Sequence, residues 1–433
     1  MISTTQLNSQ IQKIASIVGL TNVEQVSFID PDLSAVSQLL DCTLLKSDNL
    51  LAMTSILQTR SSYVDFCYID PPYNTGQEFI YSDKRVFSSS GIWGKHYDWM
   101  AFMLPRLIAA QFLLTTKGVI AISIDDYEYA HLKILMDAVF GAEKYIATLV
   151  ICRSKNGKGS KLNVAVNHEY VLLYGKSEGI LISGLAETQE KIYEKVDEFG
   201  EFTTDGLFRK KGDASLKEDR PNMHYPLYYS QDGRVYIENC RDDLSVAYPE
   251  DSKGVARRWL WGIDKAKAES WKLYASKKGV IYVKNYKAIG KRTKLRSILD
   301  NPNYLTDKAT TELKAIFGDK IFETPKPVSL IRDLIDCCSL PDAIVLDFFA
   351  GTGTTAEAAW ELNKRDGTNR KVILIEQNHP IKAEHIARKN GFGFTSDIAE
   401  FRLRSIQYRD HNFQFSTSTA QVLSSPLNFN LVD

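Results

Sequence analysis

The sequence predicts an α/β protein, a mixed but mostly parallel sheet with helices on both faces, interrupted by a long insert. Three observations carry this. Short apolar runs such as VDFCYID (64–70) and KVILIEQ (371–377) have the length and composition of strands buried on both faces. Helical spacings alternate with them, as a parallel sheet requires. Residues 177–320 lose that rhythm, and it returns afterwards.

Taken in order, residues 5–20 and 32–42 have the apolar spacing of short helices, as does Leu50–Leu57. The strand 64–70 stops abruptly at Pro71-Pro72, which cannot continue a ladder. A long amphipathic helix is expected over 98–115, a buried strand at GVIAISID (118–125), and a helix over 127–141 closed by Gly141. HEYVLLYGK (168–176) supplies another strand. The middle span mixes aromatic segments, paired basic residues and turn signals without a sustained period. A helix over 327–339, a strand over 343–349, a glycine loop opening the helix 354–364, and the strand 371–377 complete the pattern. The division this implies is an N-terminal helical segment (1–45), a first catalytic part (46–176), an insert (177–320), a second catalytic part (321–407) and a tail (408–433).

Composition excludes several classes. No apolar run approaches the ~18 residues of a membrane span, and the N-terminus lacks the apolar core of a signal peptide. Six cysteines (42, 67, 152, 240, 337, 338) form no CxxC pair and have no histidines at zinc spacing, so reduced thiols in a cytoplasmic protein without a metal site are expected. Net charge is zero, yet residues 201–300 hold 21 Lys/Arg against 14 Asp/Glu, and CRSKNGKGSK (152–161) has four basic residues and no acid. Solvated surface explains such charge as readily as a phosphate-facing module does.

Two motifs carry chemistry. Phe349-Ala350-Gly351-Thr352-Gly353-Thr354-Thr355 follows a strand and opens a helix, so backbone N–H groups face whatever binds there. Glu376 ends the next strand, where an acid can hold ribose hydroxyls. A dinucleotide would fit the glycine spacing alone. Asp347, just before the loop, would repel a pyrophosphate but suits the ammonium or sulfonium of S-adenosylmethionine. The second motif is Asp70-Pro71-Pro72-Tyr73 at the end of its strand, the edge where open parallel sheets bind ligands. Adenine N6 is a poor nucleophile because its lone pair is delocalised. Asp70 accepting one N6–H and the Pro71 carbonyl accepting the other would turn that lone pair outward, while Tyr73 stacks on the base. Catalysis would be mostly positioning and electrostatics.

With those blocks in view, the chain resembles β-group amino-methyltransferases of DNA, and especially the modification subunit of type III restriction–modification systems. IDPPYNTGQEFIYSDK (69–84), GVIAISIDDYEYAHL (118–132), HEYVLLYGK, LFRKKGDASLKEDRPNMHYPLYY (207–229), RRWLWG (257–262), TPKPVSLIRDLI (324–335) and VLDFFAGTGTTAEA (345–358) carry the resemblance. So does their order: catalytic motif early, recognition segment in the middle, cofactor loop late. The resemblance implies a Rossmann-like S-adenosylmethionine-dependent methyltransferase fold acting on adenine N6 of a flipped base. It implies a cofactor pocket lined by Phe349, Gly351 and Gly353, with Glu376 on the ribose and Lys326 near the methionine end, although a surface lysine would read the same way. Ser47-Asp48-Asn49-Leu50 resembles the family's Gly-Asp-Asn-Leu, whose Asp approaches the adenosine; an N-cap explains Asp48 equally well.

The insert would then be the target-recognition domain. Arg209, Lys210, Lys211, Arg220, Arg257, Arg258, Lys291 and Arg292 are its candidates for contacts with double-stranded DNA, and Tyr225, Trp259 and Trp261 for stacking. A homodimer and a restriction (helicase/nuclease) subunit are further implications of the resemblance. Type III modification subunits are usually longer, so a solitary methyltransferase stays open, as does a non-catalytic DNA-binding subunit.

Overall fold

The structure is a computed structural model of the chain and describes residues 2–26, 39–75, 92–155, 164–186, 192–287 and 292–419. The described chain falls into two compact units, Met1–Leu185 with Thr293–Asp433, and Ala186–Arg292.

The larger unit is built on nine strands: β1 (Cys42–Lys46), β2 (Val64–Ile69), β3 (Leu114–Ile124), β4 (Tyr145–Cys152), β5 (His168–Gly175), β6 (Ile298–Leu299), β7 (Ile344–Asp347), β8 (Lys371–Glu376) and β9 (Phe415–Thr419). Their order across the sheet is β6-β4-β5-β3-β2-β7-β8-β1-β9. Every neighbouring pair is parallel except the two that involve β5, so β5 alone runs against the others. The fold is therefore the mixed, mostly parallel sheet the sequence predicts.

Strand periodicity sends alternate residues to two separate cores. Cys67, Ile69, Ile120, Ile122, Ile373 and Ile375 face one core, which is roofed by α1 (Thr4–Ile17), α2 (Asn49–Thr59), α3 (Tyr97–Leu113) and α4 (Tyr129–Phe140). Phe66, Tyr68, Val119, Ala121, Val372 and Leu374 face the other. That core is covered by α6 (Val328–Cys338), α7 (Thr354–Asp366) and α8 (Thr395–Arg409). Both faces are apolar, which is why these strands read as unbroken hydrophobic runs. Helix α5 (Thr306–Phe317) buries Leu313 and Phe317 in a smaller cluster with Ile321, Ile381 and Ile398.

Several boundaries differ from the sequence expectation. Cys42 opens β1, and the rest of the helix expected at 32–42 lies largely outside the described residues. The segment 1–45 is therefore not wholly helical. The second unit is narrower than 177–320, because β6 hydrogen-bonds beside β4 and α5 packs in the larger unit. Part of the tail is ordered: β9 lies parallel to β1, pairing Cys42 with Phe415 through Lys46 with Thr419. Short edge strands such as β6 and β9 carry too few residues to leave a period in the sequence.

The smaller unit is antiparallel. A four-stranded sheet joins Leu273–Ala275, Ile281–Tyr286, Gly200–Leu207 and Lys195–Asp197, and a three-stranded sheet joins Val235–Tyr236, Leu227–Tyr229 and Ser245–Ala247. Phe208, Tyr225, Leu227, Trp259, Leu273 and Ile281 form its core. Trp259 stacks on Phe208 at 5.2 Å between ring centroids, and its Nε1 donates to the Tyr225 carbonyl.

Candidate active site

Four adjacent strands, β3-β2-β7-β8, end at one edge of the sheet, and the chemistry-bearing residues follow those ends. Asp70 comes directly after β2, Asp347 closes β7 and Glu376 closes β8. The antiparallel β5 begins at this edge, which places Glu169 there as well. One cavity of about 270 Å³ is lined by all four residues Asp70–Tyr73, by Phe349, Ala350, Gly351, Thr352, Thr354 and Thr355, and by Lys326, Asp347 and Glu376. Two motifs 281 positions apart (70 to 351) thus share one space.

The proline turn is stiff at its base. Trp99 Nε1 donates to the Pro72 carbonyl at 2.6 Å, whereas no described residue donates to the Pro71 carbonyl. The Tyr73 hydroxyl donates to Asp70 Oδ1 at 2.7 Å. Lys326 Nζ donates to Asp70 Oδ2 at 2.9 Å and contacts the Tyr73 hydroxyl at 3.0 Å. Burial pushes the Tyr73 phenol well up, helped by the Asp70 charge, so it is a neutral donor. Lys326 stands between Pro325 and Pro327, whose rings fix the backbone on either side. It lies in the cavity, as a cofactor residue should, but its ammonium faces Asp70.

The glycine loop is shaped by positive backbone angles. Gly351 has φ +52° and Gly353 φ +76°, conformations that side chains disfavour. Gly351 N–H donates to Glu376 Oε2 at 2.8 Å, while Asp347 accepts from the Phe349 N–H at 3.0 Å and the Thr355 hydroxyl at 2.5 Å. Among the described residues neither carboxyl has an ion-pair partner. Burial pushes Asp347 up to about 7, and Glu376 up to about 8. A cationic ligand bearing hydroxyl groups supplies what each is missing.

Several supports were not assigned a role from the sequence. Fully buried Arg402 on α8 donates to the Thr352 carbonyl at 2.7 Å and to Glu357 at 2.5 Å, so it clamps the loop from behind. Asn49, Phe102, Phe322, Thr324 and His379 also line the cavity. Asn49 Nδ2 donates to the Phe348 carbonyl at 2.9 Å and its Oδ1 accepts from Arg106 at 2.6 Å. Asp48 is the N-cap of α2, accepting from the Leu51 N–H at 3.1 Å and pairing with Arg106 at 3.2 Å. Its neighbour Asn49 is the one that reaches the cavity lining. Gly353 acts by its turn, lying against Ala399.

Beside the proline turn, Asn74 adopts φ +58° and donates to the fully buried Glu128 at 2.6 Å. His96 Nδ1 contacts the same carboxylate at 2.9 Å and stacks on His131 at 3.8 Å between ring centroids. Burial, with His96 second, draws His131 down to about 4, so it is neutral near pH 7. The three side chains have metal-ligand types within 4.8 Å of one another. His131 Nδ1 lies 3.1 Å from the second Glu128 oxygen.

In the smaller unit the basic candidates divide. Lys211, Arg220 and Arg292 are exposed, Arg209 and Lys210 half-buried, and Lys291 lies outside the described residues. Arg258 is buried and donates to the Ala214 carbonyl at 2.6 Å, so it is a structural residue and not the DNA contact expected of it. Arg257 is likewise committed, to Asp251 at 2.8 Å and Ser215 at 2.9 Å. A pair of adjacent arginines reads as a phosphate grip because sequence does not show which carbonyls await them. Trp259 and Tyr225 are buried in that unit's core, which removes both as free stacking surfaces.

The sequence profile of a DNA methylase family matches residues 64–388, which spans both motifs. The chain belongs to the DNA methylase family. Methyltransferases of this family use S-adenosylmethionine, which is the methyl donor of the methylase. The methylase is 48% identical over 413 residues to the type II methyltransferase M.KpnI of Klebsiella pneumoniae, covering 94% of this chain and 97% of that one. It is 34% identical over 411 residues to the type III restriction-modification enzyme EcoPI Mod subunit of Escherichia phage P1. That alignment covers 87% of the methylase and 63% of the Mod subunit. The resemblance to type III modification subunits therefore holds, and a type II enzyme matches at higher identity.

Proposed function

We propose that the methylase modifies the exocyclic N6 of an adenine swung out of duplex DNA, as the modification enzyme of a restriction–modification system. The observation that carries this is the single cavity shared by Asp70-Pro71-Pro72-Tyr73 and the Phe349–Thr355 loop. S-adenosylmethionine supplies the electrophilic methyl group. Glu376 and the Gly351 N–H would hold its ribose end, and Asp347 its positive charge.

The chain's own residues act on the base. Asp70 accepts one N6–H, and the Pro71 carbonyl, which receives no described donor, accepts the other. That geometry turns the nitrogen lone pair towards the methyl group. Tyr73 lies where a base can stack, a contact worth about 1–3 kcal/mol. When N6 gains a carbon it becomes acidic, and Asp70 is the acceptor within reach. Asp rather than Ser at position 70 favours adenine over cytosine. Extruding a base costs a few kcal/mol. Exposed Lys211, Arg220 and Arg292, in a unit acting as the target-recognition domain, would grip flanking phosphates. A homodimer in the cytoplasm with a cognate restriction enzyme is the matching setting. The two relatives are named for a type II and a type III system, so that partner is either a separate nuclease or a helicase/nuclease subunit.

Single-molecule sequencing of DNA from cells producing the protein tests this. Methylated adenine within one short sequence, absent with Asp70→Ala, is the expected result. Methylation confined to cytosine N4 overturns the base assignment.

A further inference from the structure

Both oxygens of Asp70, the group the base is to reach, already have partners. Oδ1 is taken by the Tyr73 hydroxyl and Oδ2 by the Lys326 ammonium. The same ammonium lies 5.0 Å from the centre of the Tyr73 ring, close to where a stacked base belongs. Lys326 therefore occupies both groups an adenine needs: the carboxylate that accepts N6–H and the aromatic face.

An arriving base must displace that ammonium. The Lys326 side chain is only 9% exposed, and a buried cation stripped of its counter-charge is strongly unfavourable. A second carboxylate meets this need. Glu169 Oε2 lies 3.5 Å from Lys326 Nζ, and the Glu169 side chain is 7% exposed. Among the described residues Lys326 is its one ion-pair partner. Charge-assisted hydrogen bonds run about 2.7–2.9 Å, so this ion pair is looser than the 2.9 Å contact of Lys326 with Asp70. The placement follows from topology: antiparallel β5 starts at the edge where β2 ends, and so delivers its second residue to the catalytic turn.

We propose that Glu169 is the second resting place of the Lys326 ammonium. Without a base, the ammonium sits on Asp70 and Tyr73 and stands in for the adenine amino group. When the base is inserted, the ammonium closes on Glu169, and Asp70 and the Tyr73 face are released together. The net charge of the three groups is the same in both arrangements, so the exchange moves no charge out of the cavity. Glu169 acts through Lys326 and is a positioning residue; Lys326 is the placeholder.

This inference rests on the reading that Asp70 receives the base, which loss of DNA methylation in Asp70→Ala tests separately. The decisive experiment uses the full chain and a duplex carrying the sequence found by single-molecule sequencing, with 2-aminopurine at the target position. With Glu169→Gln the ammonium stays on Asp70. Insertion of 2-aminopurine, read by its fluorescence, should then fall about tenfold or more, as should kcat/KM on the same duplex with adenine at the target. Affinity for S-adenosylmethionine should stay within about twofold, which also reports an intact fold. Glu169→Asp should recover part of the loss. Adding Lys326→Met to Glu169→Gln should restore 2-aminopurine insertion, because no ammonium is left to rehouse. Wild-type insertion in Glu169→Gln overturns the proposal, as does a double variant no better than the single one. A parallel loss of cofactor affinity also overturns it, by showing that Glu169 merely supports the fold.

Discussion

Lys326 Nζ lies 2.9 Å from Asp70 Oδ2, although 256 residues separate them in the chain. The contact joins the proline turn after β2 to the segment leading into α6, so both sequence halves of the larger unit line one cavity. Asp70→Asn keeps the shape but loses an acceptor and its charge. Turnover on DNA should fall about a hundredfold or more, while cofactor affinity changes little. Filter-binding methylation assays and calorimetry read the two effects.

Cofactor binding should depend on pH through Asp347. Burial raises this carboxyl to about 7, and the ionised form is the one that attracts a cation. A bound cation lowers it again, so binding releases a proton when the free group is protonated. Affinity for S-adenosylmethionine should therefore weaken as pH falls below about 7, by up to about tenfold per unit. Asp347→Asn should flatten that limb. The free protein behaves oppositely: raised carboxyls make folding less stable as pH climbs from the ordinary carboxyl range through 7, because the unfolded chain releases those protons first. Calorimetry between about pH 6 and pH 8 checks the first claim, and thermal melts check the second.

Arg402 joins the fold to the loop. It is buried with Glu357 and donates to the Thr352 carbonyl. Arg402→Ala leaves Glu357 short of one of its two arginines, the other being Arg409 at 2.5 Å. The expected loss is about 3 kcal/mol in urea unfolding, with weaker cofactor binding in the fraction that remains folded.

Glu128 holds the turn from the other side through Asn74. Glu128→Ala should free Asn74 from its left-handed conformation and lower kcat about tenfold, with a smaller change in cofactor affinity. Single-turnover methylation under saturating cofactor separates the two.

In the smaller unit, Lys211→Ala and Arg220→Ala should each weaken DNA binding across sequences and reduce its salt slope by about one. Arg258→Ala should instead destabilise the unit, because Arg258 is buried among backbone carbonyls. Salt titrations of DNA binding, with melts as control, distinguish the two outcomes.

Most of the framework was legible because these strands are apolar on both faces and end in abrupt turn chemistry. Pro71-Pro72 after β2 and Gly351 and Gly353 after β7 each mark a strand end by a backbone requirement. Edge strands were not legible: β6 has two residues, and β9 alternates small polar side chains. Long-range partners were hidden for a different reason. The pairing of Lys326 with Asp70, and of Arg402 with Thr352, depends on strand order, which no local pattern carries. The same limit made Arg257 and Arg258 look like phosphate ligands when their partners were Asp251 and backbone carbonyls.

Nucleoside mass spectrometry tests the central claim most directly. Unmodified duplex DNA incubated with the protein and methyl-deuterated S-adenosylmethionine should yield deuterated N6-methyladenine, and none with Asp70→Ala. Label confined to N4-methylcytosine, or equal label with Asp70→Ala, would contradict the account.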